Sequence, residues 1–223
     1  MYPWAYTWNP LGGRCPHECS YCYVERLRRR GVKKYAQEPF LDEKAFKDNL
    51  VVPKGFLVFV ESCGDLFADE IPATWIWRVL NYIGKFPETT FLLQSKNPKR
   101  FFEFNIPQNC ILGTTLETNR DLSNFTKAPN PKERFQIFFE LNCQRDMEGN
   151  KIYHLMVSVE PVMDFDLDEL LFWIQEIEPE FVSIGADSGK NNLPEPTAEK
   201  IQEFIECLKF TEIKVKKNLR RFS

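Results

Sequence analysis

Apolar runs of strand length alternate with amphipathic helical patterns along the whole chain. The runs are continuously apolar, as in residues 55–60, and such strands are buried on both faces in parallel sheets. The sequence predicts strands over residues 5–10, 55–60, 89–94, 110–116, 152–158, 181–184 and 212–215. It predicts helices over residues 20–35, 42–49, 72–85, 98–104, 132–145, 167–177 and 197–208. This alternation is typical of a parallel α/β fold.

The length limits how far such a sheet can close. A complete eight-stranded barrel usually needs about 250 residues, whereas this chain has 223. The predicted fold class is therefore α/β, a partial (incomplete, open) parallel TIM-like (β/α)6-7 barrel, with residues 1–223 as one domain. No GxGxxG follows the first predicted strand and no GxxxxGK[ST] occurs, which argues against dinucleotide-binding and P-loop proteins.

The overall charge provides no bulk attraction to nucleic acid or to a membrane surface. The formal net charge is -3 and the pI is about 5.6. No apolar run approaches the roughly 20 residues that span a bilayer, and the amino terminus lacks a basic segment followed by an apolar one. We therefore expect a cytoplasmic protein without a membrane segment. Its seven cysteines fit reduced thiols and a metal site better than a disulfide framework.

Three cysteines, Cys15, Cys19 and Cys22, lie in the polar loop 12–23. Cys22 falls in the first turn of the helix predicted over residues 20–35, where the amide dipoles favour thiolate charge. The spacing C-x-x-x-C-x-x-C lets a loop direct three thiolates at one centre, and thiolates are the soft ligands of iron–sulfur clusters and zinc. Three ligands leave one iron of a four-iron cluster without a protein ligand. An open iron of this kind can bind and transform a small molecule.

Other interpretations of this loop stay open. A zinc site could use the three cysteines with His17 as the fourth ligand, and the chain would then be a zinc-stabilised binding module with nucleic acid as a candidate partner. Cys19 and Cys22 could instead form a thiol–disulfide pair, or the three cysteines could be buried core residues. The sequence predicts core positions for the cysteines in apolar strand and helix contexts, Cys110, Cys143 and Cys207.

Polar side chains follow the apolar strands at the points where they end. Because ligands of parallel α/β barrels bind at the carboxyl ends of the strands, we expect a polar bowl there with the cysteine loop on its rim. The residues concerned are Glu61, Ser62, Cys63, Asp65, Gln94, Ser95, Lys96, Thr114, Thr115, Glu117, Ser158, Glu160, Asp187 and Ser188. Each of them alone could instead cap or stabilise a loop.

The cysteine motif, with Tyr21 directly before its last cysteine, resembles the signature of the radical S-adenosylmethionine (radical SAM) enzymes. Further stretches resemble a poorly characterised family, many of whose members are phage-encoded: residues 8–10, 65–67, 94–98, 158–161 and 185–189. The resemblance implies a partial barrel and a [4Fe-4S] cluster on the three cysteines of loop 12–23. It also implies an enzyme that reductively cleaves S-adenosylmethionine (SAM) to a deoxyadenosyl radical, which acts on an unknown substrate.

The same resemblance implies roles for the strand-end residues. Glu61 and Ser62 would bind the amino group of SAM, and Lys96 would meet its carboxylate. The ribose or adenine would contact Thr115, Glu117, Ser158 and Glu160. The candidates for catalysis are Cys63, Glu160 and Asp187. Cys63 is either a hydrogen-atom donor to a substrate radical or a small residue packed under the cluster.

The first predicted helix is strongly basic. It carries Arg26, Arg28, Arg29, Arg30, Lys33 and Lys34. These side chains form either a solvated face or a docking surface for an acidic partner. The natural partner beside a cluster is an acidic electron donor of the flavodoxin or ferredoxin kind. If the substrate is DNA or RNA, the basic helix and the basic segment 216–221 should contribute to its binding.

Overall fold

Seven parallel strands form the centre of the computed structural model, which describes residues 5–47, 50, 52 and 56–222. The strands are β1 (Ala5–Trp8), β2 (Leu57–Val60), β3 (Phe91–Ser95), β4 (Cys110–Thr115), β5 (His154–Val159), β6 (Phe181–Ile184) and β7 (Glu212–Val215). Their order in the sheet is their order in the chain. The sheet curls into an open half-barrel with β1 and β7 at its edges. The predicted partial TIM-like barrel is confirmed.

Helices connect the strands and pack against the sheet. They are α1 (Tyr23–Arg29), α2 (Ala73–Ile83), α3 (Pro131–Cys143), α4 (Leu167–Ile177) and α5 (Ala198–Cys207). Between β3 and β4 the connection is a 3-10 helix, Pro98–Glu103. This alternation of strand and helix makes every strand parallel to its neighbours and brings all seven carboxyl ends to one side of the sheet.

The prediction of one helix over residues 20–35 is wrong in the length of that helix. α1 ends at Arg29, and Gly31 turns the chain with a left-handed backbone (φ 86°). A separate 3-10 helix, Lys33–Tyr35, follows. Cys22 therefore occupies the N-cap position of α1 rather than its first turn. Glycine alone adopts such a backbone without strain, so it separates the two helical segments.

The helices predicted over residues 42–49 and 98–104 are 3-10 turns. In the first, Glu43–Ala45, the Asp42 side chain accepts a hydrogen bond from the backbone N of Lys44 at 3.2 Å, which closes a tight turn. Residues 48 and 49 of that prediction lie outside the described residues. In the second, the buried Arg100 side chain donates to the carbonyl of Ile71 at 2.9 Å. This contact draws the segment toward the chain ahead of α2.

The core lies on both faces of the central strands, as their continuous apolar sequences predict. Strands β4 to β6 are almost wholly buried. The prediction that Cys110 is a core residue is confirmed, but the same prediction is wrong for Cys143 and Cys207, which are exposed. Both are the last residues of their helices, α3 and α5, where the chain turns away from the core.

In the described part of the chain, no helix has the length and hydrophobicity that a membrane span requires.

Candidate active site at the cysteine loop

The cysteine loop, residues 12–23, begins beyond the carboxyl end of β1. The segments Leu11–Gly12 and Phe40–Leu41 pair as short antiparallel strands at its base. Next to this pairing, Gly13 has a left-handed backbone (φ 93°), and a Cβ atom there would lie 2.4 Å from the carbonyl oxygen of Glu38. Only glycine fits this position. The loop is therefore held in one course from its first residues.

The three cysteines of the loop line a single cavity of about 460 Å³ at the carboxyl ends of the strands. Cys15, Cys19 and Cys22 are all free thiols. Burial raises the pKa of Cys15 well above its usual value, and the charges of Asp65 and Cys19 raise it further. Burial also raises the pKa of Cys22. Metal ligation must therefore release thiol protons, and three soft donors around one cavity fit an iron–sulfur cluster.

Asp65 ties this loop to the ends of β2 and β3. Its Oδ2 atom lies 2.7 Å from the ring Nε2 of His17. The same oxygen accepts hydrogen bonds from Ser95 Oγ at 3.0 Å and from the backbone N of Lys96 at 2.8 Å, while Oδ1 accepts from the backbone N of Phe67 at 2.9 Å. Burial alone would raise the pKa of Asp65, but these partners outweigh it and lower the pKa.

Glu61 and Ser62 lie where β2 ends, at the cavity lining. Glu61 has a left-handed backbone (φ 56°), and its Oε2 accepts a hydrogen bond from the backbone N of Leu11 at 2.8 Å. Burial raises the pKa of Glu61 to about 8. The Ser62 hydroxyl lies 3.1 Å from Asn9 Oδ1, and the same oxygen accepts from the backbone N of Cys63 at 3.3 Å. Asn9 therefore fixes the course of the strand end.

The raised pKa of Glu61 predicts a pH-dependent stability. The folded-state pKa of about 8 lies above the usual value of 4.5, so the stability that the neutral carboxyl contributes is complete below pH 4.5 and is lost as pH rises to 8. The loss is at most about 5 kcal/mol, since one pKa unit is worth about 1.4 kcal/mol. We expect Glu61→Gln to flatten this decline in urea unfolding of the apo protein. The exposed Glu88→Gln is the control, and an unchanged decline in Glu61→Gln contradicts the prediction.

Lys96 joins the cysteine loop to a buried ion pair. Its ammonium lies 2.5 Å from Glu117 Oε1, 2.8 Å from the Tyr21 hydroxyl and 3.5 Å from Cys19 Sγ. Glu117 Oε2 lies 2.9 Å from Arg134 Nη1, and both of these side chains are fully buried. Burial alone would raise the pKa of Glu117, but the two cations outweigh it and hold that pKa at about 2. Glu117 is therefore a charged carboxylate at neutral pH. It is not among the residues that line the cavity.

Cys63 is buried at the cavity lining between two tyrosines and the cysteine loop. Its Sγ lies 3.5 Å from the Tyr23 hydroxyl, which donates to the carbonyl of Ser62 at 2.7 Å. Burial and the contact with Cys63 raise the pKa of Tyr23, and the same two causes raise the pKa of Tyr35. Both phenols therefore stay protonated at neutral pH.

Three further predicted residues lie on the cavity wall formed by β4 and β5. Thr115 and Ser158 are buried there. Thr115 Oγ1 accepts a hydrogen bond from Gln94 Nε2 at 3.0 Å. Glu160 follows β5 and forms an ion pair with Lys216, which lies directly after β7 and also lines the cavity. The ends of β4, β5 and β7 therefore line the same cavity as the three cysteines.

Asp187 lines the cavity beyond β6, but its carboxylate is occupied by its own loop. Its two oxygens accept from the backbone N of Gly189 at 2.8 Å and from the backbone N of Asn191 at 2.6 Å. From the other side of the cavity, Arg26 of α1 donates to the carbonyl of Ser188 at 2.9 Å. This contact links the helix after the cysteines to the loop after β6.

Three residues at the site, Asn9, Arg134 and Lys216, are not among the site residues that the sequence predicts. Asn9 and Lys216 directly follow β1 and β7, so the strand-end rule applied to the first and last strands would have found them. No feature of the sequence predicts that Arg134 belongs to the site, because an arginine in a helix is ordinarily exposed. Its burial follows from the position of α3 over the end of β4.

A family model matches residues 3–133 of the chain, and its description is a protein of unknown function (DUF5131). This is more than half of the 223 residues, so the chain belongs to the DUF5131 family. No curated protein matches the chain.

Solved structures with a similar fold include a double mutant of spore photoproduct lyase with bound AdoMet and dinucleoside spore photoproduct. The TM-score is 0.61 at 14% identity, covering 93% of this chain and 62% of that chain. SuiB from Streptococcus suis bound to S-adenosylmethionine gives a TM-score of 0.55 at 10% identity, covering 96% of this chain and 48% of that chain. At these identities the similarity shows the fold. The chain spans between 48% and 62% of the length of these two proteins.

Proposed function

We propose that this chain is a radical SAM enzyme in which Cys15, Cys19 and Cys22 hold a [4Fe-4S] cluster whose open iron binds SAM. The observation that carries the proposal is three free thiols on one cavity with the polar strand ends of a parallel half-barrel. Two structures of similar fold hold this molecule, which supports SAM as the ligand. When both groups are bound, an electron from the reduced cluster would cleave a sulfur–carbon bond of SAM, giving methionine and a deoxyadenosyl radical that would act on the substrate.

The residues at the strand ends would bind and orient SAM. Its amino group would lie at Glu61 and Ser62 and its carboxylate at Lys96. The ribose and adenine would lie along the wall formed by Thr115, Ser158 and Glu160, which all line the cavity. Because Glu117 is fully buried behind Lys96, we assign it to holding Lys96 rather than to contact with the ribose.

Cys63 is our candidate for the hydrogen-atom donor to a substrate radical. Its S–H bond would break, the hydrogen atom would pass to the substrate carbon, and the unpaired electron would stay on Sγ. A position on the cavity lining, with the Tyr23 hydroxyl 3.5 Å away, supports this assignment. Glu160 and Asp187 are the further catalytic candidates. Of these, Glu160 is the stronger, since the carboxylate of Asp187 is engaged by its own loop.

The competing zinc-stabilised module fits this geometry less well. His17, its fourth ligand, places Nε2 at 2.7 Å from Asp65, which leaves one ring nitrogen for a metal. Across the described residues, no three side chains of His, Cys, Asp or Glu are grouped to hold a single ion. A zinc site needs its ligands around one ion, whereas the cysteines of a four-iron cluster bind different irons. The arrangement therefore favours the cluster.

The proposal is tested by product analysis. Protein loaded with iron and sulfide under anaerobic conditions and reduced with dithionite should convert SAM to deoxyadenosine and methionine. The conversion needs no knowledge of the natural substrate. Absence of both products from protein that holds about four irons per chain would contradict the proposal and leave the cluster as a structural element.

We further propose that the basic face of α1 docks an acidic electron donor, such as a flavodoxin or ferredoxin. Residues 14–37 carry seven basic and two acidic side chains in a chain whose net charge is -3. Arg29, Arg30 and Lys33 are exposed on and after α1. Cys22 is the N-cap of this helix, so a partner on this face would lie within about 15 Å of the cluster at 1.5 Å per helical residue.

The docking proposal predicts a salt-dependent defect. In the triple variant Arg29→Gln, Arg30→Gln, Lys33→Gln, we expect the KM for reduced flavodoxin to rise roughly tenfold at low salt, because surface charge steers association. The difference should shrink at high salt, and SAM cleavage with dithionite should be unchanged. The exposed residues Lys85, Lys99 and Lys132, replaced together by Gln, are the control. An unchanged KM refutes the docking surface, and a loss of nucleic-acid binding instead assigns this face to a nucleic-acid substrate.

A further inference from the structure

A buried line of charged groups runs from α3 to the cysteine loop. Arg134 meets Glu117 at 2.9 Å, Glu117 meets Lys96 at 2.5 Å, and Lys96 lies 3.5 Å from Cys19 Sγ. Tyr21 braces the line, because its hydroxyl donates to Glu117 at 2.6 Å and accepts from Lys96 at 2.8 Å. These side chains come from the cysteine loop, from the ends of β3 and β4, and from α3.

The positive charges in this line outnumber the negative charges. Two cations, Lys96 and Arg134, share one carboxylate, Glu117. Buried charges are costly unless they are paired, so one positive charge requires a further anion. The Sγ atom of Cys19 lies 3.5 Å from the Lys96 ammonium. As a ligand of the cluster, this sulfur would carry the negative charge that completes the pairing.

Hydrogen bonds along the line hold the Lys96 ammonium beside the Cys19 sulfur. Arg134 is held by two more acceptors, the carbonyls of Thr115 and Pro129. Glu117 is held at both oxygens. The Lys96 ammonium is therefore set in place by the core of the protein, not by solvent, and a cation at 3.5 Å in a buried setting interacts strongly with a negative charge.

We propose that Glu117 and Arg134 are positioning residues that hold the Lys96 ammonium against Cys19 and so raise the reduction potential of the cluster. The inference rests on the proposed function, since it presumes a cluster on the loop. Reduction adds one electron and one unit of negative charge and makes or breaks no bond. A fixed cation beside a ligand sulfur stabilises the more negative state, and charges and hydrogen bonds around the sulfurs set cluster potentials.

The direction in which substitutions shift the reduction potential of the cluster tests the proposal. Lys96→Met removes the positive charge and should disfavour reduction about tenfold, which for a one-electron couple is 59 mV toward more negative potential. Glu117→Gln keeps the shape of the side chain but removes the negative charge, so the potential should move in the opposite direction. The matched controls are Lys99→Met and Glu133→Gln, which are exposed neighbours in the chain, and neither should move it.

The measurement is a dye-mediated redox titration of the iron-loaded protein followed by electron paramagnetic resonance, without SAM. Opposite shifts in the two variants support the proposal. Equal potentials, or shifts in the same direction, overturn it, as does failure of both variants to hold iron, which would make the line purely structural. If only Lys96→Met loses iron, the sign in Glu117→Gln decides.

The readout separates this proposal from the proposed function. A wild-type cluster that titrates as described but never cleaves SAM refutes the enzyme and leaves the charge line standing. A wild-type enzyme that cleaves SAM, with potentials that do not respond to the two substitutions, refutes the charge line alone. A wild-type protein that binds no iron under reconstitution refutes both.

Discussion

Replacing Cys19 by alanine should remove iron from the protein and abolish SAM cleavage. Iron per chain should fall from about four to near zero, because two remaining thiols do not complete the ligand set of an open-iron cluster. Cleavage should fall by roughly a thousandfold or more, since the bound groups carry the chemistry. Iron and sulfide analysis of reconstituted protein and assay of deoxyadenosine measure the two effects.

The matched control is Cys143→Ala, which removes an exposed thiol at the end of α3. It should keep full iron content and full cleavage. Retention of about four irons and of cleavage by Cys19→Ala would show that the loop is not the cluster site. Equal loss in both variants would point to a general sensitivity of the fold.

The second large effect is expected at Asp65. Asp65→Ala breaks the contact with His17. It also leaves the backbone N–H groups of Lys96 and Phe67, which donate to the Asp65 carboxylate, without that acceptor. Breaking a buried pair of this kind costs about 3–5 kcal/mol. Urea unfolding of the apo protein should show this loss in the free energy of unfolding, and the cysteine loop should take up less iron.

Glu70→Ala is the control, because Glu70 is exposed in the same connection. It should change the free energy of unfolding by less than about 0.5 kcal/mol. Asp65→Asn keeps the acceptor oxygen while removing the charge, so we expect a smaller loss than in Asp65→Ala. A stability change in Asp65→Ala no larger than that of Glu70→Ala would contradict the role of Asp65 as the tie between loop and strands.

The sheet could be predicted because its signal is local and repeated. Continuous apolar runs mark strands buried on both faces, and their alternation with helices dictates parallel order. The strand-end rule then predicts which side chains gather, and Glu61, Cys63, Thr115 and Glu160 indeed line one cavity. Their roles toward SAM stay predictions, as do the single domain and the resemblance to a family with many phage-encoded members.

What could not be predicted depends on three-dimensional packing. Glu117 follows β4 like the lining residues, but the buried Arg134 draws its carboxylate away from the cavity, and nothing in the sequence marks a helix arginine as buried. Asp187 follows β6, yet its own loop supplies backbone donors that occupy it. The side-chain pattern predicts one long basic helix over residues 20–35. In the structure, the left-handed backbone of Gly31 ends α1 and separates it from the next turn.

Electron paramagnetic resonance of anaerobically purified, dithionite-reduced protein, with and without SAM and together with iron and sulfide analysis, tests most directly whether the loop holds an open-iron cluster. We expect about four irons per chain and a cluster spectrum that changes when SAM is added, because SAM would bind the iron that Cys15, Cys19 and Cys22 leave open. One zinc per chain and no iron would contradict this expectation. An iron–sulfur spectrum that SAM leaves unchanged would contradict the open-iron site and leave the cluster with a structural role.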